Sequence, residues 1–230
     1  MHWGDFSFYD ICAPPLRRPH RGDDRPLSQF PFTTSSFQLI ILDAHCRPVR
    51  GSESTSARQN DRLLVAQLII GLQCVDPGGS LIITLKQVAC VKTAQVLYML
   101  DELAQTTVTF KNPEHQKTSG VFHAVATGIG LGVHGPKLPT YLEHLKDVWW
   151  ELTYGGEEGK GRDLSESDLN FIADYEKLEN TYLDRLVEFG DVPWRVQKEA
   201  LTGISKKQES VSWRRSLTDN PRKRQVSHCM

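Results

Sequence analysis

The sequence predicts an α/β fold: a mostly parallel sheet with helices packed on it, continued by an all-helical extension. Three observations predict this. Between residues 37 and 127, short apolar β-branched runs alternate with amphipathic stretches of helical period. Two of those runs end in a charged residue, Asp43 and Lys86, as strands do when they deliver side chains to a cleft. Beyond Gly128 only helical periods remain.

Asp5–Ile11 is compatible with one short strand, and residues 13–36, rich in Pro, Arg, Ser and Thr, read as a long surface loop. Phe37–Leu42 (FQLIIL) is a continuous apolar run, which predicts a buried parallel strand. After an irregular loop over 44–56, Gln59–Val75 carries a broad apolar helical face through Leu63, Leu64, Ala66, Ile69, Ile70 and Leu72. Asp76-Pro77-Gly78-Gly79 is turn chemistry and stops that helix.

Ser80–Leu85 (SLIITL) is a second buried-strand run, followed by an amphipathic helix over Cys90–Gln105. Strand, helix, strand, helix implies parallel crossovers. Thr107–Phe110 and Val121–Thr127 follow closely enough to predict an antiparallel pair at the end of the sheet.

The extension is expected to hold helices at Pro139–Tyr154, 165–189 and Pro193–Ile204. Ser165 and Asp168 have capping-box spacing, and Ile172, Tyr175, Leu178, Tyr182, Leu186 and Phe189 recur as a packing face. Adjacent Trp149 and Trp150 point about 100° apart on a helix, so one packs inward while the other sits at an edge. From Ser205 the chain carries seven Lys/Arg against two acidic residues, mixed with Ser and Gln, and reads as a basic disordered tail. The expected units are therefore 1–36, 37–130, 131–204 and 205–230.

Composition narrows the function classes. With 39% hydrophobic and 24% charged residues, the 230-residue chain has ordinary globular composition. No run of about 18 apolar residues is present, and the start MHWGDFSFYD lacks signal-peptide features, so an intracellular protein with no membrane partner is expected, in nucleus or cytoplasm. Cys12, Cys46, Cys74, Cys90 and Cys229 show no zinc-ligand spacing, so no metal is expected. A net charge of −1 neither attracts nor repels nucleic acid, and only the tail is basic.

Asp43 and Lys86 are the candidate catalytic pair, since open α/β sheets bind ligands at the carboxyl ends of their strands. Strand-end Asp and Lys also occur as plain loop residues or an exposed ion pair. The surrounding order is more informative: FQLIILDAH, a helix containing LLVAQL, DPGGSLIITLK, a second helix, TVTFKNP, then TSGVFHAVATG. This order, across residues 37–127, resembles the back half of the FtsJ-type RNA 2′-O-methyltransferases. The resemblance implies a Rossmann-like class I methyltransferase sheet, incomplete at its N-terminal half, with S-adenosylmethionine as cofactor and a ribose 2′-hydroxyl of RNA as acceptor.

It further implies a Lys-Asp-Lys-Glu tetrad around the reacting oxygen, in which Asp43 matches the Asp and Lys86 the second Lys. A hydroxyl is a poor nucleophile, so methyl transfer needs a positioned base and aligned atoms. Asp43 also counts as cofactor-binding by resemblance, together with Asp10-Ile11, which is similar to the family's G-D-I. Lys111 and Lys117, in the loop matching the family's K-P segment, are candidate RNA contacts or ordinary solvated loop lysines.

Two departures accompany the resemblance. The family's Gly-rich loop and opening Lys have no counterpart before Asp43, and Val121 stands where the family has Glu, with His123 at its Tyr position. A catalytically inactive RNA-binding or interaction module is therefore the alternative to an enzyme. A sheet lacking its first strands is also expected to expose apolar surface along Phe37–Leu42.

Overall fold

A computed structural model of the chain describes residues 9–11, 28–29, 35–44, 53–156, 159 and 161–218. The apolar runs become four hydrogen-bonded strands. With two short strands, β1 (Tyr9–Asp10) and β2 (Ser28–Gln29), preceding them, these are β3 (Phe37–Leu42), β4 (Val75–Lys86), β5 (Thr106–Phe110) and β6 (Val121–Thr127). Helix α1 (Glu53–Cys74) joins β3 to β4, and α2 (Val91–Leu103) joins β4 to β5. The extension comprises α3 (Leu138–Tyr154), α4 (Tyr175–Thr181) and α5 (Leu183–Thr218).

The sheet order is β3-β4-β6-β5. β3 and β4 are parallel, whereas β6 is antiparallel to both β4 and β5. Because β4 and β5 each oppose β6, they run in the same direction. The predicted crossovers and the antiparallel pair are both present, and β6 folds back between its two neighbours. The fold is thus α/β with a mixed four-stranded sheet, compatible with a Rossmann-like arrangement.

β1 and β2 form a separate parallel pair, Tyr9↔Ser28 and Asp10↔Gln29, so the segment expected to be loop over 13–36 contributes a short strand. Asp76–Gly79, expected as a turn, lies within β4, which begins directly after Cys74. The turn chemistry survives as an irregularity: pairing jumps from Phe37↔Val75 to Leu39↔Ser80, and Gly78 adopts φ +80°. Gln38 alone faces the extra residues, and its amide donates to Asp76 at 3.3 Å.

Alternation along the strands decides which face is dry. Leu42, Leu81, Ile83, Leu85, Phe122, Ala124 and Ala126 are buried on one face. Helix α1 lies against that face so closely that a Cβ on Gly71 would come within 2.7 Å of Leu81 and 2.8 Å of Leu42. On the other face Leu39 is 53% exposed, Ile41 63%, Val108 51% and Phe110 50%. The expectation that β3 is buried is corrected: it is an edge strand, covered on one face only among the described residues. The expected apolar exposure along Phe37–Leu42 is observed.

The extension shares the core with the sheet. Trp149 is 2% exposed and Trp150 only half-buried, as the helix geometry requires, and Ile172, Leu178 and Phe189 are buried, while Tyr175 turns outward. Residues 166–172 form turns instead of the predicted helix: the Ser165 N–H donates to Asp168 at 2.7 Å, but the next helix, α4, starts after Asp174, whose carboxylate caps the Lys177 N–H. The predicted gap between a helix ending at 189 and one beginning at Pro193 is corrected, as is the predicted disorder from Ser205 as far as Thr218, since α5 runs from Leu183 through Pro193 to Thr218. Residues 219–230 lie outside the described residues.

Part-buried polar contacts fasten this extension. Arg185 makes a bidentate pair with Asp101 at 3.1 and 3.0 Å and also donates to the Thr107 carbonyl. Tyr182 donates to the same Asp101 at 2.8 Å, and Tyr141 of α3 donates to Glu102 at 2.6 Å. No helix among the described residues is long and apolar enough to cross a membrane.

Candidate functional site

The carboxyl ends of β3 and β4 lie side by side because Leu42 pairs with Ile83, which brings Asp43 next to Thr84. Thr84 Oγ1 donates to Asp43 Oδ1 at 2.7 Å. On the other side of β4, Thr84 pairs with His123 of β6, and its hydroxyl lies 3.0 Å from His123 Nδ1. Phe110 of β5 pairs with His123 and stacks on its ring, with centroids 6.3 Å apart and planes at 20°. Asp43, Thr84, His123 and Phe110 thus form a row across all four strands on the open face of the sheet.

Lys86 lies two residues beyond Thr84, on the same face of β4, and is exposed. Its cross-strand partner is Val121. Among the described residues Lys86 makes no ion pair, so the bland reading of a surface Asp43–Lys86 bridge does not apply. The two predicted catalytic residues are brought to one end of the sheet, with Thr84 placed between them in the strand register.

A groove of about 530 Å³ runs along the outer edge of β3, lined by Phe37, Leu39, Ile41, Asp43, Ala44 and Gln67. Gln67 forms both of its amide bonds to the Ala44 backbone, at 2.9 and 3.3 Å, and so pins the chain directly after Asp43. A second cavity of about 530 Å³ opens beyond Lys86, between Gln87, Cys90, Gly120 and the α5 residues Trp194 and Gln197. Gln87 is held at φ +52°, an uncommon backbone state for a side-chain-bearing residue.

The other candidates are placed differently. Lys111, read as an RNA contact or a solvated lysine, is neither: it is 3% exposed, and its ammonium donates to the carbonyls of Gln116, Ser119 and Val121. Burial pushes its pKa below the ordinary lysine value. It closes the β5–β6 loop, while Lys117 stands exposed on that loop. Ile11, matched to a cofactor element, is instead 3% exposed and belongs to the core, and Asp10 contributes its backbone to β1. Among the described residues no group of His, Cys, Asp and Glu is arranged to hold a metal.

Sequence reading missed Thr84 as a site residue and gave His123 no role. The available signal was weak. Thr84 interrupts the apolar run of SLIITLK two residues before Lys86, and His123 stands two residues after Val121, but only the β4–β6 register makes them neighbours.

No family model matches the chain, and no curated protein matches it.

The donor set along the β3 groove fits S-adenosylmethionine in part. Asp43 offers a carboxylate to hydroxyl or ammonium groups, and the edge of β3 offers an apolar wall for a ring. A glycine-rich turn with inward N–H groups is not found beside that groove among the described residues.

Proposed function

We propose that this chain is a methyltransferase of the FtsJ type, acting with S-adenosylmethionine on a ribose 2′-hydroxyl of RNA. The observation that carries the reading is the placement of Asp43 and Lys86 at the carboxyl ends of two hydrogen-bonded parallel strands. A further support is that position 121, where the resembling family has Glu, faces Lys86 directly across β4 and β6. Three positions of the implied tetrad thus share one end of the sheet, one of them holding Val.

In this reading the cofactor supplies an activated methyl group. Lys86, exposed and unpaired among the described residues, places a cation beside the acceptor oxygen, and Asp43 anchors polar groups at the rim of the β3 groove. The cavity beyond Lys86 offers the 43%-exposed indole of Trp194 as a stacking surface for a nucleobase.

Val121 favours a second reading, an RNA-binding or interaction module without catalysis. With no carboxylate opposite Lys86, the lysine lacks the partner that would orient it. Labelled methyl transfer from S-adenosylmethionine to RNA separates the two. Transfer that disappears in Lys86→Ala supports the enzyme, and RNA binding without transfer supports the module.

A further inference from the structure

We infer that His123 is the proton acceptor of this site, its neutral ring held by the Asp43–Thr84–His123 row in the tautomer that leaves the Nε2 lone pair open. Neither the motif order nor the tetrad assigns His123 a role.

The direction of the hydrogen bonds decides its tautomer. A threonine hydroxyl has one proton. At 2.7 Å from the Asp43 carboxylate, that proton points to Asp43, because two facing lone pairs at this separation would repel. The Thr84 oxygen therefore accepts at its other contact, and His123 Nδ1, 3.0 Å away, donates. In the neutral ring, Nδ1–H leaves the lone pair on Nε2.

The surroundings suit a base more than a structural histidine. His123 is half-buried, its ring is held against Phe110, and the charged groups beside it on the open face are Asp43, just past the end of β3 and reached through Thr84, and Lys86, two residues beyond Thr84 on β4. When a substrate hydroxyl gives up its proton, the O–H bond breaks, the oxygen keeps the electron pair and Nε2 gains the proton. The imidazolium keeps its Nδ1–H bond to Thr84, and the Asp43 carboxylate balances the charge through that hydroxyl. The ligand class is a hydroxyl-bearing molecule. Its identity as a ribose rests on the reading above, whereas the tautomer does not.

Nitrogen NMR of the full chain with labelled histidine, at neutral pH, tests this without any substrate. The expected spectrum shows His123 with a protonated Nδ1 and an unprotonated Nε2. Thr84→Val is expected to shift His123 toward the Nε2–H form, and Thr84→Ser to restore the original pattern. An Nε2–H tautomer in the unmodified chain, or a pattern unchanged in a folded Thr84→Val, overturns the inference. If the valine variant unfolds, the serine variant and the unmodified chain still decide it. Absence of methyl transfer with the expected tautomer removes the methyltransferase reading and leaves the base in place.

Discussion

Thr84 Oγ1 donates to Asp43 Oδ1 at 2.7 Å, joining the ends of β3 and β4 through a residue that the chain motifs leave unremarked. This bond fixes the candidate carboxylate. It also sets the direction of the row that reaches His123.

Lys111 is a structural cation, so its removal will disturb folding more than RNA binding. Lys111→Met leaves three loop carbonyls without their donor and is expected to lower stability by about 1–3 kcal/mol. Chemical denaturation will measure this. RNA affinity per folded molecule should stay unchanged, whereas Lys117→Ala should weaken it and flatten its salt dependence.

Glu102 ties α2 to the start of α3 by accepting from Tyr98 and Tyr141 while facing Lys137 and His134. Burial acts to raise its pKa, but the bonds from Tyr141 and Tyr98 and the charges of Lys137 and His134 prevail and hold it below the ordinary value. A depressed carboxylate stabilises the fold above its unfolded pKa, and that contribution fades as pH falls through the lower folded value. Thermal melts from neutral pH downward should therefore show an acid loss of stability. Glu102→Gln should be less stable at neutral pH and lose less on acidification.

Ile41, 63% exposed on the edge strand β3, belongs to an open apolar surface with Leu39. Ile41→Lys should reduce self-association with little change in melting temperature, because edge lysines block strand addition. Light scattering at matched concentrations measures it, and unchanged association would place the sticky surface elsewhere.

Trp194, 43% exposed at the cavity beyond Lys86, is expected to stack on a nucleobase. Trp194→Ala should weaken single-stranded RNA binding by about 1–3 kcal/mol. Equal loss for Trp194→Ala and Trp194→Phe would argue against stacking, since phenylalanine keeps an aromatic face.

Fold was more legible than site. The bounds of β3 and β6 coincide with their apolar runs, because a short apolar run closed by turn or polar residues at both ends leaves little freedom. The burial of β3 was not legible, since FQLIIL is apolar on both faces and only the covering elements decide which face stays dry. Pro193 misled because its fixed φ and missing N–H suit the first turn of a helix, so a new helix was expected to begin there, yet α5 runs through it, with the Trp194 indole packed on the bare Gly190 backbone. The charged segment after Ser205 lacks an apolar period, but α5 continues through it to Thr218. At the site, Asp43 and Lys86 were readable because each ends a strand-like run. Thr84 and His123 were not, since their proximity arises from an antiparallel register between segments 39 residues apart. Lys111 was misread because a loop lysine normally faces water, and only the curl of residues 111–121 creates its carbonyl cage.

The central claim, that Asp43 and Lys86 belong to a methyl-transfer site, is tested most directly by incubating this 230-residue chain with RNA and labelled S-adenosylmethionine. The account predicts label on ribose 2′-oxygens, lost in Lys86→Ala and in Asp43→Ala while both variants remain folded. No label on RNA, together with no heat of S-adenosylmethionine binding in calorimetry, would contradict it.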